Sequence, residues 1–558
     1  MAALSLLLLT LLPDATPRLV RFGRTLAIGA VAFAIAAFQL VPLLRDTAFL
    51  NHSRWEPVWK WDSFGAGPAL ARLFTGELLD HGRLPVLTLL TFAGAALLYR
   101  RRRPAHAFLA AGALFWILLY FGRAFWGPLL TVLGAAEDMH LHRVIGGAQI
   151  FLVLLGALAL AEAWAWMSAR WHYAAAIAFS ALLFYPMVRE RAANLANDAA
   201  WGHRNLAAYA AERPSLDAAI ASAQSRGGRT YAGLAATWGG QFKIGDVPFY
   251  AFLSEAQVPA VAFLYHSMAL TGDIMVRFND RAAAQYRLFN IRSVIAPMTG
   301  LNMPPGLLLP RAQFGRFQVF DAPGGGYFDL VDAGAVVKAT RQNFYEINDR
   351  WLESDWPGRR THLLLDFAGE PATDLPRMLS EAPLPFLASP APSPGDVAAE
   401  QQSGQTYSAD LVVTRASYAQ FKMTWHPAWK AYLDNVAQPV VMLSPGFSGV
   451  KVAPGRHRVE FRYEPGALKP ALAIFGVLFA AFLGLRGSRV APAPLRLAVP
   501  RQAIAAAGIL ALALPVCVNL FSGSVLWGHD AFCYFPRVVE AHQNLIHGIL
   551  LPRWAPDL

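Results

Sequence analysis

Residues 144–168 read VIGGAQIFLVLLGALALAEAWAWMS, an apolar run in which Gln149 and Glu162 are the only strongly polar side chains. At about 1.5 Å per residue, a helix of that length covers the roughly 30 Å of hydrocarbon in a bilayer. The run therefore reads as a membrane span. The same test picks out 25–44, 105–121, 172–188, 468–485 and 501–523, and a shorter stretch at 84–99 completes the set. Composition agrees, because 55% hydrophobic residues against 15% charged is the balance of neither a soluble nor a disordered chain. Two cysteines, Cys517 and Cys533, are too few for a disulfide scaffold and carry no metal-ligand spacing. Glu162 lies near the end of its span, where reaching to the interface explains it better than a buried functional carboxylate.

A net charge of +11 could suggest a nucleic-acid partner, but the arginines gather beside apolar runs, as orientation signals do. Nucleic acid is therefore excluded as a partner. Arg18, Arg21 and Arg24 precede the first full span, Arg100–Arg103 follow the second, Arg170 lies between the fourth and fifth, and Arg486, Arg489, Arg496 and Arg501 separate the last two. Positive loops are retained in the cytoplasm, and alternate counting places all four groups there. The count leaves 189–467, a segment of about 280 residues and large enough for its own core, outside the cytoplasm. Small residues crowd 105–113 and 154–161, which suits close helix packing in lipid.

Within the outer segment, the polar, helix-biased stretch Arg189–Arg226 gives way to short strand-like runs at 229–234, 291–296, 317–320 and 327–331, which predict a mixed α/β domain over 189–369. A Pro/Ser/Ala-rich stretch over 370–406 reads as a linker or long loop. Beyond it the period becomes two. Phe421, Met423 and Trp425 alternate with Lys422 and Thr424, and Val459, Phe461 and Tyr463 alternate with charged residues, as in half-buried strands. With turns at Asp434-Asn435 and Pro454-Gly455, this predicts a β-sandwich over 407–467 whose aromatics, Trp425, Trp429 and Tyr432, could stack on sugar rings but read better as its core. The remaining divisions are a transmembrane region over 1–188, two further transmembrane helices over 468–523, and an outer loop over 524–558. Pro323-Gly-Gly-Gly326 has no following Lys-Ser/Thr, so it reads as a turn and not a P-loop.

The runs Trp425-His-Pro-Ala-Trp-Lys-Ala-Tyr-Leu-Asp434 and Val452-Ala-Pro-Gly-Arg-His-Arg-Val-Glu-Phe-Arg-Tyr463 resemble the closing sandwich of YfhO-like bacterial membrane proteins. His142-Arg-Val-Ile-Gly-Gly-Ala-Gln149, Trp527-Gly-His-Asp-Ala-Phe-Cys-Tyr-Phe-Pro-Arg537 and His547-Gly-Ile-Leu-Leu-Pro-Arg-Trp-Ala-Pro-Asp557 are similar to the multi-span proteins labelled 6-pyruvoyl-tetrahydropterin synthase-related, which resemble GT-C glycosyltransferases. In the GT-C pattern the acidic loop follows the first transmembrane helix, whereas Asp530 here follows the last. The chain thus looks like a truncated or permuted member, and an incomplete catalyst is expected.

The resemblance implies a GT-C-like helical membrane protein with a large outer domain in a bacterial plasma membrane. The implied activity is transfer of sugar from a polyprenyl-phosphate donor to a cell-envelope acceptor; the rival is a non-enzymatic protein assisting envelope polysaccharide assembly or export. It carries the activating acid onto Asp530, with His529, Tyr534, Arg537, His142 and Arg143 as substrate-binding candidates and a divalent metal as a possible cofactor. On a helix, Asp530, Tyr534 and Arg537 share a face, and Arg537 could pair with phosphate, although Pro536 threatens that helix. A bland alternative for Asp530 is a helix cap. Glu137, Asp138, His140 and His142 offer oxygen and imidazole ligands without strict metal spacing, so solvated loop charges are the competing reading; Arg143 could hold a lipid phosphate. Val538–Leu551 reads as an amphipathic surface helix.

Overall fold

The computed structural model describes residues 16–101, 104–132, 137–261, 268–299, 301–367, 369, 373–386, 392–487 and 531–548, with Thr10 and isolated positions between 507 and 514. Most of the span expected over 501–523, and the loop carrying His529 and Asp530, lie outside the described residues. The chain forms two compact units: 1–37 with 54–196 and 473–497, and 38–53 with 197–472 and 498–558.

Among the described residues, three helices are long and apolar enough to cross a membrane: Arg18–Arg45, Leu141–Arg170 and Leu468–Arg486. The helices Val86–Arg101 and Pro104–Tyr120 are shorter and apolar. Small residues set their packing. A Cβ on Gly94 would sit 1.9 Å from the Leu155 carbonyl oxygen, and one on Gly147 would strike the Trp116 indole at 2.5 Å, so both glycines permit an approach no other residue allows. Thr91 Oγ1 donates to Leu152 O at 2.9 Å across the same contact. Trp116, Phe151, Leu152 and Leu155 form the core.

The helix expected at 172–188 does not end at the boundary drawn at 188/189. A single helix, Tyr173–Gln224, runs through Pro186 and Pro214. Its last turns bury Leu216, Ala219, Ile220 and Ala223 against Phe249, Leu253 and Phe317. Burial of one face outweighs the hydrogen bonds that the two prolines remove.

Among the described residues the second unit holds three principal sheets. The strands Arg229–Tyr231, Ile291–Pro297, Phe317–Asp321 and Leu309–Phe314 form a four-stranded mixed sheet. Gly395–Ser403, Thr406–Val413, Gly455–Tyr463, Trp429–Leu433 and Val436–Gln438 form a five-stranded antiparallel sheet. The third sheet joins Ser417–Thr424, Phe447–Val452 and Val441–Leu443 to Thr361–Asp366, Phe328–Lys338 and Arg377–Met378. The sandwich therefore draws one of its layers partly from 328–378, and Gly395–Ser403, inside the stretch read as linker, is its outer edge strand. That strand was illegible because its side chains are mostly polar and exposed.

Phe328, Phe421, Met423, Trp429, Val459 and Phe461 fill the sandwich interior. Asp434 and Asn435, both at positive φ (52° and 66°), make the tight turn expected there. Pro454-Gly455 turns the chain from one layer to the other. Ser417–Thr424 departs from the half-buried pattern: all eight residues are buried. Its polar positions Gln420, Lys422 and Thr424 face a second core and find partners there, while Ser417 Oγ is buried with no hydrogen-bond partner among the described residues. Gln420 Nε2 reaches Ser444 O at 3.5 Å, Lys422 Nζ donates to Arg287 O at 2.9 Å, and the Thr424 and Thr271 hydroxyls meet at 2.5 Å.

The segment after the helix Arg18–Arg45 belongs to this unit. Leu50 bridges Ala269, Asn51 N donates to Met268 O at 2.9 Å, and Ser53 Oγ donates to Asp273 Oδ1 at 2.8 Å. Phe49 packs edge-on against Trp425 and His426.

Candidate functional site

Two loops of the helical unit, about eighty residues apart, converge at the start of the helix Ile145–Arg170. The first carries the short helix Val58–Asp62, which follows Pro57 and stops at Ser63, whose φ of 63° ends the turn. Ser63 Oγ then donates to Tyr120 O at 2.5 Å, anchoring the loop. The second carries the 3-10 turn Leu141–Val144, whose Leu141 and Val144 are buried and so direct His142 and Arg143 outward.

The rings interlock. Trp59 stacks on Phe64 at 5.4 Å and meets His142 edge-on at 5.1 Å, while Trp61 lies 4.1 Å from His140 and the two imidazoles are 5.6 Å apart. His142 Nδ1 is 2.7 Å from Lys60 O. A carbonyl only accepts, so Nδ1 carries a proton and donates it to Lys60 O. Burial, followed by the neighbouring Arg143 and His142, holds the His140 pKa below its ordinary value, and its Nε2 is buried without a partner. Lys60 pairs with Glu56, and Arg123 donates to Trp61 O at 3.2 Å beside Asp62 at 3.7 Å. Arg143 is exposed. The arrangement offers aromatic edges, imidazoles and cations at the end of an apolar helix.

His142 and Arg143 are thus part of a formed cluster. Glu137 and Asp138 are not drawn into a metal site with the histidines: among the described residues no three His, Cys, Asp or Glu groups are placed to hold a metal ion. Tyr534 and Arg537 lie one turn apart on the helix Ala531–Ile546, which continues through Pro536 and starts earlier than the amphipathic helix expected from 538. Val538, Leu545 and Ile546 on it are exposed. Asp530 and His529 lie outside the described residues.

Sequence reasoning missed Glu56, Trp59, Lys60 and Trp61. The density of tryptophan in 54–62 was a visible signal, but no spacing rule ties it to 137–144. It also passed over Asp80, fully buried, whose carboxylate accepts from Leu87 N and Thr88 N at 3.0 Å each and from Thr88 Oγ1 at 2.7 Å. That acid caps the helix Val86–Arg101 and is structural.

The apolar helices and the β-rich second unit define a membrane protein with a substantial β domain. No family model matches the chain, and no curated protein matches it. Among solved structures it is similar to the arabinofuranosyltransferase AftD from mycobacteria, with 14% identity and a TM-score of 0.32 over 83% of this chain and 43% of that one. Two classes of a mutant form of AftD match at 13% identity, with TM-scores of 0.29 and 0.31, over 83% of this chain and 45% of theirs. The chain spans less than half the length of the proteins it matches. A similarity of this degree carries neither fold nor activity across.

Proposed function

We propose that the protein is a GT-C-like membrane glycosyltransferase that moves sugar from a polyprenyl-phosphate donor to a cell-envelope acceptor. The observation that carries this reading is the cluster of Trp59, Trp61, Lys60, His140 and His142 at the mouth of an apolar helix, where a lipid-held phosphate and a sugar ring can be met together. Asp530 is the proposed base: it removes the acceptor hydroxyl proton as the oxygen attacks the anomeric carbon, and the polyprenyl phosphate leaves. Arg143, beside that cluster, is proposed to hold phosphate, and Arg537, on the helix after Asp530, is a separate candidate for the same role. Membranes from cells making a complete homologous protein should transfer label from a radiolabelled polyprenyl-phosphate sugar, and the variants are made at the matching residues of that protein. His142→Ala should cut the rate by about 100-fold, the size of one general acid–base or positioning group, and Asp530→Asn should do the same while insertion stays intact. Undiminished turnover by Asp530→Asn removes that residue from the chemistry. No transfer above empty membranes removes the enzyme reading and leaves the envelope-assembly role.

The proposed topology places 189–467 outside the cytoplasm of a bacterial plasma membrane. The arginine groups beside the apolar runs support it, since positive loops are retained in the cytoplasm. In a background with Cys517 and Cys533 replaced by Ser, Ala437→Cys should react with an impermeant maleimide on intact cells and His172→Cys should not. The opposite pattern inverts the topology.

A further inference from the structure

The loop Pro323-Gly-Gly-Gly326 connects the strands Phe317–Asp321 and Phe328–Lys338, and the turn alone does not account for what surrounds it. A Cβ on Gly324 would lie 2.4 Å from Ile291 O and 2.9 Å from Arg292 Cγ. One on Gly325 would lie 3.0 Å from Arg287 Cγ and 3.7 Å from Lys422 Nζ. Two arginine stems and a buried ammonium therefore converge on two consecutive residues that have no side chain, and Gly325 is exposed to solvent. The Arg292 stem also lies 2.9 Å from the Cβ position of Gly228, in the loop Arg226-Gly-Gly228.

The acids nearby are already engaged. Asp321 is shared by Arg226 at 3.1 Å and Arg311 at 3.4 Å, and Asp329 by Arg360 at 3.5 Å and Lys422 at 3.6 Å. Glu400 spends its oxygens on the backbone N–H groups of Tyr327 and Phe328 at 3.0 and 2.9 Å. Donors are left over. Among the described residues the Arg287 guanidinium has no hydrogen-bond or ion partner. Arg292 Nε is buried without one, and its other contact is a 3.4 Å reach to Arg226 O. Asn290, fully buried, accepts from Gly326 N at 2.8 Å, yet its Nδ2 has no partner. A surplus of cationic and amide donors with no acceptor left is what an oxyanion completes.

We propose that this crevice binds a phosphate-class oxyanion through Arg287 and Arg292, over the glycine pair 324–325. The proposal does not rest on the transferase reading. Half-buried guanidiniums favour a dianion presented on a phosphate monoester, since forked donors match its oxygens. The test is calorimetric titration of the full chain in detergent with inorganic phosphate. Wild type should bind. Arg287→Gln should weaken binding by about tenfold, the loss of one charge-assisted bond, and Arg287→Gln with Arg292→Gln should abolish it. Arg287→Lys, which keeps stem and charge, should fall between, and Arg311→Gln, whose arginine is already paired on Asp321, should change affinity by less than about twofold. Displacement by a soluble sugar phosphate but not by short-chain phosphatidylglycerol assigns the anion to a soluble ester; the reverse assigns it to a lipid headgroup. The site falls if wild type binds no phosphate, or if the double variant retains its circular-dichroism spectrum and binds as well as wild type.

Discussion

Lys422→Ala is expected to destabilise the β domain by about 3–5 kcal/mol, the cost of removing one partner from a buried charged pair. The ammonium has no exposed surface, sits 3.6 Å from Asp329 Oδ2 and donates to Arg287 O at 2.9 Å. Burial pulls its pKa below the ordinary lysine value, and Asp329 opposes that pull. Truncation would leave the Arg287 carbonyl without its ammonium donor, Asp329 with Arg360 alone, and a cavity beneath the strand Ser417–Thr424. Lys422→Met fills most of that space without a charge and should recover about 1–2 kcal/mol of the loss, because the desolvation cost of the ammonium disappears with it. Urea unfolding followed by near-ultraviolet circular dichroism measures both. The exposed Lys430, which only reaches Pro427 O, is the control; a midpoint for Lys422→Ala equal to that of Lys430→Ala would remove the buried pair from the account.

Lys422 also shows where the sequence stops being legible. Alternation along 421–425 separates Phe421 and Met423, which face the sandwich core, from Lys422 and Thr424, but it misplaces Trp425, which packs in the other core, and it is silent on whether the polar face meets water or a second layer of protein. Residues 271 and 287 approach that face from outside the sheet, and Asp329 and His362 from other strands within it; no local pattern records either. The same limit hides the joining of Phe328–Lys338 and Thr361–Asp366 to strands a hundred residues later. The apolar helices were legible because length and composition alone decide them. Their continuation was not: Pro186 and Pro214 argue for breaks that burial of Leu216 and Ile220 overrides. Of the candidate site, His142 and Arg143 could be read as the flank of a span. Trp59 and Trp61 could not be joined to them, since only the folded packing of the Val86–Arg101 and Pro104–Tyr120 helices brings the two loops together.

Acid should unfold this domain earlier than its ion pairs would suggest, because of His362. The ring is fully buried on the strand Thr361–Asp366, 4.8 Å from the Trp351 indole, and its Nδ1 lies 2.6 Å from Ser444 O, to which it donates. Burial lowers its pKa to about 4, only partly offset by that hydrogen bond. An unfolded histidine titrates near 6.5, so as pH falls the unfolded chain takes up the proton first. The stability held by the neutral ring is complete above pH 6.5 and drains away as pH falls from 6.5 through about 4. A gap of that size corresponds to about 3 kcal/mol at the acid end, a large share of a domain's usual reserve. His426, also lowered chiefly by burial, adds to the loss with the same sign. His362→Asn keeps a side-chain N–H for Ser444 O while removing the titration. It should be less stable at pH 7, because the ring's packing against Trp351 is lost, yet its urea midpoint should fall less steeply between pH 6.5 and 4.5, by about one proton's worth of slope. Parallel curves for wild type and variant would mean that His362 is not the group being protonated.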